Sequence, residues 1–63
     1  MIFRIQFLNA AATIIADWPC RASDAHGAIE AADGLSWPAD AVRIQIVDDG
    51  GRVIHKRRKE EEP

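Results

Sequence analysis

The stretch Val42-Arg43-Ile44-Gln45-Ile46-Val47-Asp48-Asp49-Gly50-Gly51-Arg52-Val53-Ile54-His55 decides how this chain folds. Val42, Ile44 and Ile46 alternate with Arg43, Gln45 and Val47, the period of a strand with one buried face. Asp48 to Gly51 are turn formers: the glycines supply positive φ and the aspartates bond nearby backbone N–H groups. Arg52 to His55 resume a β-rich run, so the segment reads as a β-hairpin.

Upstream, Ile2 to Leu8 puts Phe3, Ile5 and Phe7 on one face and Ile2, Arg4, Gln6 and Leu8 on the other, again a half-buried strand. Asn9 leads a connection through Ala10, Ala11 and Ala12. Thr13 to Trp18 is β-branched and aromatic enough for a second strand, ended by Pro19, which cannot donate to a ladder. Ser23 or Asp24 can cap a helix running from about Asp24 to Asp33, with Ala25, Ala28, Ile29 and Ala32 on one face. Gly34 is placed for a left-handed terminating residue. Gly27 weakens this helix by up to about 1 kcal/mol relative to Ala, so packing on the sheet must hold it. Pro38 prevents further helix between Leu35 and the hairpin.

The elements add up to an α+β domain of ββαββ order: a four-stranded antiparallel sheet, spatial order 2-1-3-4, with one helix on one face. The expected core is Phe3, Ile5, Phe7, Ile29, Val42, Ile44 and Ile46, with Trp18 and Trp37 sealing its ends. One domain covers residues 1–57, and residues 58–63 form a disordered charged tail without an apolar anchor. The ββαββ order and the pattern Val42 to Ile54 resemble small alphaproteobacterial domains of unknown function. Asp17-Trp18-Pro19-Cys20 followed by an Ala-rich helix is also similar to the opening of HicB-type antitoxin domains, although the glycine-rich strand connection usual there is missing. Neither resemblance brings a site to carry over.

A chain of 63 residues buries only about 60% of the surface its unfolded form exposes, so self-association is an expected source of further burial. Cys20 is the lone cysteine, which rules out an internal disulfide and suits a reducing, cytoplasmic setting. Eight basic against ten acidic residues, a net charge of −2, argue against a protein that coats nucleic acid by bulk charge. No run approaches the roughly 20 apolar residues that span a bilayer.

Catalytic and metal chemistry find no support in the residue pattern. Cys20, His26 and His55 have no ligand spacing, and a Cys20–His26 pair lacks an orienting third group. Asp48 and Asp49 lack the spaced carboxylates and terminal Glu of a calcium loop. Asp17, Asp24, Asp33 and Asp40 fall near element ends, where caps and turns use them. We therefore expect no enzyme, no cofactor and no metal.

The leading expectation is a cytoplasmic protein-interaction module that self-associates as a homodimer or docks a protein partner. It would use an edge strand or the uncovered sheet face carrying Ile2, Arg4, Gln6, Leu8, Arg43, Gln45 and Val47. The alternative is a weak nucleic-acid binder using Arg4, Arg43 and the basic segment Arg52, Lys56, Arg57, Arg58 and Lys59. Against it stand the absence of stacking aromatics on that face and the neighbouring Glu60, Glu61 and Glu62, which can neutralise the basic run.

Overall fold

Alternation, capping and turn chemistry produce, in the computed structural model, the order β1 (Ile2–Leu8), β2 (Ile14–Arg21), α1 (Ala25–Asp33), β3 (Arg43–Val47) and β4 (Val53–Arg58). The structure describes residues 1–59. The strands form one antiparallel sheet in the order β2-β1-β3-β4 with the two most apolar strands central, as the pattern predicts.

Phe3, Ile5, Phe7, Ile44 and Ile46 project from one side of β1 and β3 and bury with Ala28 and Ala32 of α1 and with Ala41. The helix can lie close because its core-facing residues are alanines. Asp24 caps it by accepting from the Gly27 N–H at 2.9 Å. Gly34 closes it differently from expectation, with φ −86° in the right-handed region; its N–H donates to the Ala31 carbonyl and the Leu35 N–H to that of Ala32. At the same end the Asp33 carboxylate, unfavourable beside the negative helix terminus, meets Arg57 of β4 at 3.1 Å.

Two core expectations change. Val42 is 41% exposed, because it precedes β3 at the corner of the sheet while Ala41 takes the covered position. Ile29 is only half-buried, at the rim of the cluster. Both tryptophans pack edge-on against Phe7, Trp37 at 5.2 Å and Trp18 at 5.7 Å between ring centroids. Trp37 is half-buried, but Trp18 stays 45% exposed because β2 has no outer neighbour.

Pro19 does not end β2; the strand runs on to Arg21. An edge strand tolerates this proline because antiparallel residues point their backbone groups alternately inward and outward, and Pro19, opposite Arg4, occupies an outward position. At the other edge β4 includes Arg58, and the Lys59 N–H donates to the Val42 carbonyl at 2.9 Å, so both residues belong to the ordered hairpin and not to a tail. Residues 60–63, and with them any neutralisation of the basic run by Glu60, Glu61 and Glu62, lie outside the described residues.

The two hairpins repeat one another. Asn9 donates its N–H to the Thr13 carbonyl, accepts at its own carbonyl from Ala12, and accepts at Oδ1 from Ala11 and Thr13. Asp48 makes the same four bonds with Arg52, Gly51 and Gly50. In each loop the fourth residue is left-handed, Ala12 at φ 63° and Gly51 at φ 86°, whereas Gly50 is not. Each hairpin then carries an extra residue just beyond the loop, Ile15 in β2 and Ile54 in β4. At the same offset of 39 positions, Arg4-Ile5-Gln6 is matched by Arg43-Ile44-Gln45. The pairing of β1 with β3 is symmetric about Gln6 opposite Gln45, with Arg4 facing Val47 and Leu8 facing Arg43. The sheet is thus two equivalent hairpins about an approximate two-fold axis through that glutamine pair.

Candidate interaction face

The side of the sheet away from α1 is uncovered among the described residues, and its occupants follow from register. One row runs Ile14, Leu8, Arg43, Arg58; the next Asp17, Gln6, Gln45, Lys56; the third Pro19, Arg4, Val47, Val53; and Arg21 with Ile2 completes it. The seven residues assigned to this face from alternation therefore lie on it. Their character differs from expectation, since Leu8 and Val47 are only 7% and 8% exposed. Both sit on central strands, Leu8 between Ile14 and Arg43 and Val47 between Arg4 and Val53, whose longer or flanking side chains cover them. Exposed apolar surface is left at Ile2, Ile14 and Val53, around the margin.

The centre is polar and connected. Gln45 Nε2 donates to Gln6 Oε1 at 2.6 Å, Gln6 Nε2 donates to Asp17 Oδ2 at 3.4 Å, and Arg4 Nε donates to Asp17 Oδ1 at 2.9 Å. Asp17 is thus no cap or turn residue; it stands within β2 as the acid partner of Arg4. In the second hairpin the position of Asp17 is occupied by Lys56, and that of Pro19 by Arg58. Arg43 consequently faces Arg58 directly and Lys56 on the diagonal. No acid among the described residues pairs with Arg43 or Lys56.

The basic segment 52–59 is brought together only in part: Lys56, Arg57 and Arg58 line one concavity with Arg43, and Arg52 and Lys59 stand apart from it. Lys56 and Arg58 face the open side, while Arg57 points to the helix side and holds Asp33. Arg52 closes the β3–β4 loop, and Lys59 follows the strand. The bulge at Ile54 decides this division: one extra residue reverses the in-out alternation of everything after it. Arg21, which the sequence pattern left in a loop, joins the face because β2 continues past Pro19.

Elsewhere, His26 Nε2 lies 3.2 Å from Glu30 one helical turn away on the exposed side of α1. Cys20 is half-buried against the core, its Sγ 4.0 Å from the Arg21 carbonyl. No group of three or more His, Cys, Asp or Glu residues among the described residues could hold a metal. No helix among them is long and apolar enough to cross a membrane. No family model, curated protein or solved structure matches the chain.

Proposed function

We propose that this protein is a non-catalytic, cytoplasmic interaction module that receives its partner on the uncovered sheet face. The observation that carries the reading is the composition of that face: Arg4, Arg21, Arg43, Lys56 and Arg58 surround a hydrogen-bonded glutamine pair, with Asp17 the one acid in its strand rows among the described residues and Asp48 and Asp49 at its β3–β4 rim. The glutamine pair is tied through Asp17 to Arg4, so the centre of the face is an ordered polar network that a partner can meet with hydrogen bonds. The lone thiol of Cys20 suits the reducing compartment that this reading assumes.

Self-association is a second reading, favoured by the exposure of Ile2, Ile14 and Val53 at the margin of the same face. Val53→Asp probes it without touching the core; Val47→Asp does not, since Val47 is buried and the change would unfold the hairpin. Blunted edges count against strand-to-strand pairing, with Pro19 lacking a donor on β2 and lysine and arginine lining β4.

The test is a nuclear magnetic resonance titration with two probes, a mixed-sequence DNA duplex and the protein itself at rising concentration. Movement of the Gln6 and Gln45 side-chain amide signals with either probe is the expected result. Shifts confined to α1 and the Leu35–Trp37 segment, with both glutamine signals unmoved, would remove the reading.

A further inference from the structure

The two hairpins provide an internal comparison. In the first, Arg4 is neutralised by Asp17 at 2.9 Å. In the second, the same scaffold presents Arg43, and the place of the acid is taken by Lys56. A guanidinium whose equivalent elsewhere in the molecule is held by a carboxylate is positioned to take an oxyanion from outside, and here a lysine ammonium stands where the internal oxyanion would be. We infer that the Arg43–Lys56 corner is an anion site for the phosphodiester backbone of nucleic acid, an assignment that rests on the open face being the interaction surface.

Three features select that ligand over an acidic protein segment. First, cations stand at both ends of the face, Arg58, Arg43 and Lys56 on one hairpin and Arg21 on the other, with Arg4 held by Asp17 between them, a spread that suits an extended polyanion. Second, the middle of the face lacks the apolar core that protein partners bury, because Leu8 and Val47 are already covered by their neighbours. Third, a duplex carries one charge per about 1.7 Å of its length, roughly twice the density of an extended carboxylate chain at about 3.4 Å per residue. The face offers no aromatic ring to a base, so the contacts are to phosphate and the binding is indifferent to sequence.

The hairpin equivalence designs the experiment. Fluorescence anisotropy of the full-length protein with a labelled 20-base-pair mixed duplex, a single-stranded RNA of the same length and polyglutamate is measured between low and physiological salt; these probe lengths are about one face-length or more of nucleic acid. The expected Kd for both nucleic acids at physiological salt is about 10⁻⁴ to 10⁻⁶ M, with a duplex slope of log affinity against log salt between about −2 and −4. Lys56→Asp, which installs at Arg43 the arrangement Arg4 already has, should reduce affinity by at least about tenfold and flatten the slope by about two, at undiminished thermal stability. The reciprocal Asp17→Lys frees Arg4 and should tighten binding. Polyglutamate binding as tight as the duplex would overturn the phosphodiester assignment, as would wild-type affinity in Lys56→Asp. Absence of nucleic-acid binding together with glutamine shifts on self-titration would overturn it while leaving the face as the interaction surface. If neither probe moves the glutamines, both readings fall.

Discussion

Ala12→Gly should stabilise this protein and Gly51→Ala should destabilise it, because the two residues hold the same left-handed position in equivalent loops. An L-residue in that conformation costs about 1–2 kcal/mol, and Ala12 at φ 63° carries the cost where Gly51 avoids it. Glycine also loosens the unfolded chain, returning about 0.4–1 kcal/mol of the gain. The balance for Ala12→Gly is a net stabilisation of about 0.5–1 kcal/mol, which for a domain this small raises the Tm by roughly 2–8 °C. For Gly51→Ala the same balance reverses in sign. No atom lies within 4 Å of where its Cβ would sit, so the loss is purely torsional and of similar size. The loops lie at opposite ends of the sheet, so the double variant should return close to wild-type stability. Urea unfolding followed by tryptophan fluorescence measures all three. A destabilised Ala12→Gly, or a neutral Gly51→Ala, would refute the equivalence of the loops on which the hairpin comparison depends.

Ile44→Ala, at a core position 1% exposed, should cost about 2–5 kcal/mol and leave little or no folded protein by circular dichroism. Gly27→Ala should add about 0.5 kcal/mol by raising helix propensity, since the new methyl meets Ala22 Cβ at 3.4 Å, an ordinary contact; a loss of stability in thermal melts would show that position to be sterically closed. Pro19→Val restores an outward N–H to the β2 edge and should produce concentration-dependent association in light scattering; a variant that stays monomeric would mean that something other than the proline guards this edge. Asp17→Ala breaks a largely solvent-exposed ion pair and should change stability by no more than about 1 kcal/mol, a change that salt diminishes in denaturant titrations.

Local chemistry determined most of this fold. The period-two pattern of residues 2–8 and 43–47, the Asp24 cap, and the turn residues at Asn9 and Asp48 each act within a few positions, so they specify strands, helix and hairpins without tertiary information. The order β2-β1-β3-β4 follows because the two most apolar strands, β1 and β3, supply the large buried side chains and so take the centre of the sheet. Three matters were left to the tertiary structure. Pro19 could sit inside β2 only because that strand became an edge, a property of the sheet and not of the segment. Leu8 and Val47 were covered by neighbours on adjacent strands, which alternation along one strand cannot foresee. The extra residues Ile15 and Ile54 reset the alternation of β2 and β4, and so decided that Asp17, Lys56 and Arg58 face the open side while Arg57 turns to Asp33. A bulge is a mismatch between two strands, so the site it builds comes into being only when the strands pair.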